Sequence, residues 1–156
     1  MPRQRTGFFS SLRLLHLALF AGQCLLLVVS LILVMKERIS FADKSTDKTL
    51  QVISVLLSFA IVYGAIAIKK RRLKEILATV ANAKARVAAY KRACLLQWIL
   101  LETAVLLNLV CFIVTGNYAF TAMAVTVMIF YFLQGPSRLA IVWKLGITEE
   151  ELDALQ

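Results

Sequence analysis

Glu102 is the residue of this sequence that is best placed to do chemistry. It lies near the middle of Ala93–Thr115, a predominantly apolar run of 23 residues. As an α-helix that rises about 1.5 Å per residue, this run is roughly 34 Å long, and the hydrocarbon core of a bilayer is about 30 Å thick. An ionised carboxylate at that depth is costly unless it is protonated, paired or facing water. Glu102 is therefore a candidate site for a proton, a cation or the basic side chain of a partner.

Two polar side chains on the same predicted helix, Gln97 and Asn108, are candidate companions of Glu102. They belong to a stripe of polar and small residues that covers about 60° of the helical wheel. Glu102 lies about 140° from Gln97, because consecutive helical residues are about 100° apart. Inside a helix bundle the polar side chains of the stripe can form hydrogen bonds with neighbouring helices. Glu102 faces another direction and needs a partner of its own: a side chain, a bound lipid or cation, a water or a second protomer.

A second polar stripe runs along the first apolar segment, where His16, Gln23 and Ser30 recur every seven residues. Seven residues fall only about 20° short of two full turns, so the three side chains share one face. We expect that face to contact other helices rather than lipid. His16 is the only histidine of the chain. It is either an interfacial, hydrogen-bonded histidine, which we favour, or a proton-relay partner or ligand that assists Glu102.

The composition indicates that lipid solvates most of the chain. Of its 156 residues, 60% are hydrophobic and 17% charged, and the mean hydropathy is +0.79. A soluble domain is typically about a quarter charged. The net charge of +9 comes from basic residues between the apolar runs. Anionic lipid headgroups explain these residues, and we expect no nucleic-acid partner.

Four apolar segments predict an all-α fold, an integral membrane four-helix bundle that forms a single membrane domain. The spans cover about residues 14–35, 50–68, 93–115 and 118–133. The fourth span is short unless its helix continues as a kink across Gly135–Pro136 to Leu145. Otherwise residues 136–156 form an interfacial helix and an acidic tail. Short loops favour side-by-side packing of helices that are neighbours in sequence.

The segment 69–92 is the most basic part of the chain, with nine of the eighteen Lys and Arg residues and one acid, Glu75. Apolar residues recur in it at helical spacing, without proline or glycine. Either both flanking spans continue into an extended helical hairpin that turns near residues 81–83, or an amphipathic helix lies on the membrane surface. We favour the hairpin. Its membrane-surface basic residues are Lys69, Lys70, Arg71, Arg72 and Lys74.

The distribution of charge predicts the orientation of the spans. Fourteen of the eighteen Lys and Arg residues precede the first span, lie in segment 69–92 or follow the fourth span. Because basic loops stay in the cytoplasm, we expect both termini and the basic hairpin to be cytoplasmic.

The motifs of common enzymes are missing from the sequence. It has no Gly-rich phosphate loop, no GxSxG and no HExxH, and its three cysteines lack CxxC spacing. A haem held within the bundle would need a second axial ligand beside His16, and nothing marks one. We therefore expect a protein that is not an enzyme and that holds no metal and no cofactor.

Several short motifs resemble a group of small, functionally uncharacterised four-span proteins of Bacteroidota inner membranes. The motifs are Leu15-His16-Leu17-Ala18-Leu19 with Gly22-Gln23, Leu101-Glu102, Thr115-Gly116-Asn117, Gly135-Pro136-Ser137 and Leu145-Gly146-Ile147. The resemblance covers most of the chain. It implies a four-span architecture in a bacterial inner membrane and no particular activity.

Two functions fit these features. The first is a scaffold or accessory subunit of a membrane complex, which binds another membrane protein or a second copy of itself. The second is a proton- or cation-coupled transporter or channel component in which Glu102 titrates while Gln97, Asn108 and His16 supply hydrogen bonds. We favour the first, because Glu102 is the only unusual residue that it requires.

Overall fold

The computed structural model describes residues 8–37, 44–80, 82–148 and 150, and five α-helices account for nearly all of them. These are α1 (Phe8–Glu37), α2 (Lys44–Thr79), α3 (Ala83–Thr115), α4 (Tyr118–Leu133) and α5 (Arg138–Leu145). No strand occurs in the described ranges. The predicted all-helical fold is confirmed, and a helical bundle fits it. The acidic tail predicted at the C-terminus lies outside the described residues except for Glu150.

Three of the helices are long and apolar enough to cross a membrane: Ser10–Lys36, Asp47–Thr79 and Ala83–Thr115. Large apolar side chains of the first two face outwards, including Leu14, which is 70% exposed, and Phe59, which is 66% exposed. Lipid solvates such a surface and water does not. The described helices therefore have the surface of a membrane protein. The fourth apolar helix, α4, has 16 residues.

The central helix is α3, which packs against α1, α2 and α4. Its long buried face is lined by large side chains that include Trp98, Leu101 and Phe112. Helices that are neighbours in sequence pack together in two cases, α2 with α3 and α3 with α4. The expected side-by-side packing of sequence neighbours is wrong for α1 and α2, because α1 packs mainly on α3 and α4. Of its polar stripe, His16 contacts α3 through Trp98 and α4 through Tyr131.

Helices α2 and α3 form a long antiparallel hairpin. At about 1.5 Å per residue each helix is roughly 50 Å long, some 20 Å more than a bilayer's hydrocarbon core. The segment 69–79 continues α2 and the segment 83–92 begins α3. Between them Asn82 caps α3, because its Oδ1 accepts a hydrogen bond of 2.9 Å from the backbone N–H of Lys84.

Arg86 joins the turn of this hairpin to α5. Its Nε donates a hydrogen bond of 2.5 Å to the carbonyl of Val80, and its Nη1 donates one of 3.2 Å to the carbonyl of Leu145. Both carbonyls lie at helix C-termini, where a cation is favourable. The apolar side of α5, with Ile141 and Leu145 fully buried, packs into the same cluster as Val87. The C-terminal helix is thus docked on the hairpin.

Helices α4 and α5 are separate. The first ends at Leu133 and the second begins at Arg138, so the continuous kinked helix that the sequence allowed does not form. Pro136 has no N–H to donate to a helical ladder, and its ring disfavours helical conformation at Gly135.

Candidate functional site

His16 lies in an aromatic cluster where α1, α3 and α4 meet. Its side chain is 3% exposed, and its ring stacks on that of Tyr131 with 4.5 Å between the centroids and 7° between the planes. Trp98 contacts the same imidazole at a centroid distance of 4.8 Å and an angle of 46°. Phe20 completes the cluster, with its ring centroid 6.4 Å from that of Tyr131. The imidazole on α1 therefore contacts both α3 and α4.

The polar atoms of this cluster are only partly satisfied. The hydroxyl of Tyr131 donates a long hydrogen bond of 3.4 Å to the backbone carbonyl of His16. In the described part of the chain, the two ring nitrogens of His16 and the indole N–H of Trp98 have no hydrogen-bond partner. The carbonyl of Phe132 lies near the imidazole, outside hydrogen-bonding geometry. A buried polar group without a hydrogen-bond partner lowers the stability of the fold by about 1–3 kcal/mol. A water or a bound group that supplied the missing hydrogen bond would therefore be stabilised there.

A glycine permits the close approach of α4's end to the imidazole. A Cβ atom added to Gly135 would lie 3.3 Å from His16 Nε2 and 3.3 Å from the carbonyl oxygen of Phe132. Both separations are shorter than ordinary van der Waals contacts, so a side chain at this position would push the histidine or the chain aside.

Glu102 lies one helical turn beyond Trp98 on α3 and is half-buried. Among the described residues it makes no hydrogen bond and no ion pair. Its helical neighbours Ile99 and Leu106 are exposed by 56% and 40%. The carboxylate therefore lies at the rim of the bundle, between the aromatic cluster and the outward face of α3.

The polar stripe of α1 is buried, as its spacing predicts. His16, Gln23 and Ser30 are all less than 5% exposed. Ser30 satisfies its hydroxyl by donating to the carbonyl of Leu26 at 2.8 Å. The amide oxygen and nitrogen of Gln23 have no hydrogen-bond partner in the described residues. Gln23 is thus a second buried polar group that would bind a water or a ligand.

Asn108 takes part in a hydrogen-bonded clasp between α2 and α3. Its Oδ1 accepts from the hydroxyl of Ser54 at 2.7 Å, and its Nδ2 donates to the hydroxyl of Ser58 at 2.7 Å. The same Nδ2 donates to the carbonyl of Ala104 at 2.8 Å. All four residues are buried, and the clasp holds the two long helices together. Asn108 is therefore engaged in packing.

The structure does not bring the predicted site residues together in one place. His16 lies beside Tyr131, Glu102 lies one helical turn from Trp98, and Asn108 lies in the clasp. Gln97 is on the same stripe of α3 as Asn108 and is 1% exposed, with an amide oxygen that lacks a partner in the described residues. Gln23 is buried two turns along α1 from His16.

Sequence reasoning missed Trp98 and Tyr131, the two aromatic residues that contact the ring of His16. Each is an aromatic residue near the end of an apolar run, where interfacial placement is the usual interpretation. The available signal was the isolated histidine itself, since a buried imidazole needs neighbours that accept its flat surface and its polarity.

The five basic residues predicted for the membrane surface differ in exposure. Lys69 is half-buried, with its Nζ 5.9 Å from the centre of the Tyr90 ring and close to the thiol of Cys94. The remaining four are exposed: Lys70, Arg71, Arg72 and Lys74. Glu75 is paired loosely with two of them, at 3.6 Å and 3.8 Å, in solvent-exposed geometry that contributes little to stability.

The carboxylate of Glu102 can bind a proton, a small cation or a basic side chain, and the imidazole of His16 can bind a proton. In the described ranges, no three residues among His, Cys, Asp and Glu are grouped so that they could hold a metal ion. The sequence matches no protein-family model, no curated protein and no solved structure, so the function is inferred from this geometry.

Proposed function

We propose that the protein is a non-enzymatic integral membrane protein, a scaffold or accessory subunit of a membrane complex, whose Glu102 receives a basic side chain from a partner's transmembrane helix. The observation that supports this most directly is the position of Glu102. It is half-buried at the rim of α3 and, within the described ranges, it has no ion pair. A carboxylate in that setting is stabilised by an opposite charge that approaches from the lipid side.

The partner is a different membrane protein. None of the four apolar spans of this chain contains Lys or Arg. A second copy would therefore bring another Glu102 to the interface and no opposite charge. Ile99 and Leu106, both exposed beside Glu102, offer apolar surface for the partner's helix around the ion pair.

The proposal includes a fourth span, α4, and a bacterial inner membrane with both termini in the cytoplasm. The concentration of Lys and Arg before α1, in segment 69–92 and after α4 supports this orientation. In that orientation the basic end of the α2–α3 hairpin, with α5 docked on it, extends roughly 20 Å into the cytoplasm.

A photo-crosslinking experiment tests the partner. A photoreactive amino acid at Leu106 is activated in native membranes, in the otherwise wild-type chain and together with Glu102→Gln or Thr103→Val. Thr103 is the matched control, since it is exposed on the next position of α3 and bonds only its own helix at the carbonyl of Ile99. We expect one constant crosslinked protein that Glu102→Gln removes and Thr103→Val retains. A crosslink that does not depend on Glu102, or none at all, would contradict the proposal.

A second candidate function is a proton- or cation-coupled transporter component. It is favoured by the polar atoms of His16 and Gln23, which are buried and have no hydrogen-bond partner among the described residues. Such groups would bind waters or a cation along a path between the helices.

Flux measurements separate the two functions. The purified protein is reconstituted in liposomes that contain a pH-sensitive dye, and an imposed membrane potential drives proton entry. A pH-dependent flux that Glu102→Gln stops while the fold is retained would exclude the scaffold function. If neither form moves protons or alkali cations, and the variant still assembles, transport is excluded.

A further inference from the structure

A groove runs along one side of the α2–α3 hairpin. Near the turn it has a volume of about 370 Å³. Its lining residues from α2 and the turn are Arg72, Glu75, Ile76, Thr79 and Val80, and those from α3 are Ala89, Arg92, Ala93 and Leu96. The lining is thus charged at three positions and otherwise almost entirely apolar.

The groove continues towards the membrane. A second cavity of about 430 Å³ shares Arg72, Glu75 and Leu96 with the first, and it adds Ile68 and Arg71. Ile68 is the last residue of the second apolar span, and Leu96 lies within the third. The groove therefore begins among apolar residues at the membrane and passes between basic residues on its way to the turn.

The charges of the groove favour an anion. Three guanidinium groups, those of Arg71, Arg72 and Arg92, accompany one carboxylate, that of Glu75. The contacts from Arg71 and Arg72 to Glu75 are long, at 3.6 Å and 3.8 Å, and the side chains are at least half exposed. Such pairs are weak, so they leave the guanidinium groups available. Guanidinium presents two parallel donors that match the oxygens of a phosphate.

The apolar part of the groove identifies the kind of anion. A free phosphate would contact only the arginines and would leave Ile68 and Leu96 uncovered. A phospholipid places its phosphate at the level of the basic residues and its acyl chains in the hydrocarbon layer, where those two residues lie. We propose that this groove is a specific binding site for one anionic phospholipid, whose phosphate lies between Arg72 and Arg92 and whose acyl chain follows the groove past Leu96.

The test is native mass spectrometry of the full chain in detergent, titrated with phosphatidylglycerol or with phosphatidylcholine of equal chain length. The double variant Arg72→Gln and Arg92→Gln removes two charges from the groove. The control, Lys70→Gln and Lys74→Gln, removes two charges from exposed residues of the same hairpin that do not line it. We expect one phosphatidylglycerol to bind more tightly than phosphatidylcholine. The arginine variant should lose roughly tenfold or more in affinity, since charge-assisted hydrogen bonds are lost, and the lysine variant should change less than about threefold.

Three results would overturn the inference. Equal losses in the two variants would show bulk attraction to a basic surface. Displacement of the lipid by millimolar inorganic phosphate or glycerol 3-phosphate would show a site for small anions. Equal binding of both lipids would exclude recognition of the headgroup charge. Circular dichroism checks that the variants keep their helices, and none of these outcomes depends on the partner proposed for Glu102.

Discussion

The imidazole of His16 lies flat against the phenol of Tyr131, with 4.5 Å between the ring centroids. Stacked rings of this kind contribute about 0.5–1.5 kcal/mol beyond the area that they bury. In lipid, apolar contacts between helices compete with equally apolar acyl chains, so specific packing has a larger share in holding helices together. The stacking therefore helps to hold α1 on the rest of the bundle.

Replacement of His16 separates the ring's packing from its polarity. His16→Leu removes the stacking on Tyr131, and we expect a loss of about 1–2 kcal/mol in unfolding free energy. His16→Phe retains a flat ring and removes two nitrogens that lack partners in the described residues, so stability should be unchanged or higher. The measurement is thermal unfolding in detergent, followed by a thiol-reactive dye. The chain carries Cys24→Ala and Cys111→Ala, so that the dye detects exposure of the buried Cys94. If His16→Phe destabilises as much as His16→Leu, either the nitrogens bind a group that the protein needs or the larger ring is overpacked against Gly135.

The hydrogen bonds of the clasp predict that substitutions of Asn108, Ser54 and Ser58 lower the unfolding free energy by different amounts. Asn108→Ala removes three hydrogen bonds at once and leaves a cavity, and we expect it to cost about 1–2 kcal/mol. Ser58→Ala should cost less than about 1 kcal/mol, because Nδ2 retains the carbonyl of Ala104. Ser54→Ala should cost more than Ser58→Ala but less than Asn108→Ala, because the buried Oδ1 loses its donor. The same unfolding assay measures all three variants. Serine variants that cost as much as Asn108→Ala would mean that the clasp acts as one cooperative unit.

The helices and the buried stripe of α1 could be predicted from the sequence, since both depend on local periodicity. The length of an apolar run indicates a membrane helix, and the spacing of His16, Gln23 and Ser30 indicates one face. The turn near Asn82 could also be predicted, because asparagine is a common helix cap.

Contacts between distant segments could not be predicted from the sequence in the same way. Asn108 and Ser58 are 50 positions apart, and their hydrogen bond depends on the register in which α2 passes α3. The meeting of His16 with Tyr131, 115 positions away, depends on α1 packing on α4. Short loops pointed to α2 as the neighbour of α1. Polar side chains on one face of a helix show that a contact exists, and only the packed bundle shows with which helix.

The turn between α3 and α4 is held to the start of α2 by Asn117. Its Nδ2 donates to both carboxylate oxygens of Asp47, at 3.1 Å and 2.9 Å, while its Oδ1 accepts from the N–H of Ala119 as the cap of α4. We expect Asn117→Ala to cost about 1–2 kcal/mol, because both the cap and the link are lost. Asp47→Ala should cost less, since it leaves the cap in place. Hydrogen exchange locates the effect, which should be faster exchange at the first turn of α4 in Asn117→Ala only. Faster exchange there in Asp47→Ala as well would mean that the cap depends on the carboxylate.

The two hydrogen bonds of Arg86 predict that α5 is released when they are removed. Arg86→Met keeps much of the side chain's length but leaves the carbonyls of Val80 and Leu145 without their cationic donor. We expect a local loss of about 1–3 kcal/mol, because bonds from a charged donor are stronger than neutral ones. Hydrogen exchange of α5 amides should accelerate by at least about fivefold, while the clasp end of α3 stays protected.

Lys84→Met is the matched control for Arg86, because it removes the same charge from an exposed position half a turn away on the same helix. Its α5 amides should exchange at the wild-type rate. If both variants accelerate exchange equally, the positive charge of the hairpin holds α5 and the hydrogen bonds do not. If neither does, the buried side chains of Ile141 and Leu145 are sufficient to keep the helix in place, and Arg86 only satisfies carbonyls that water would otherwise bind.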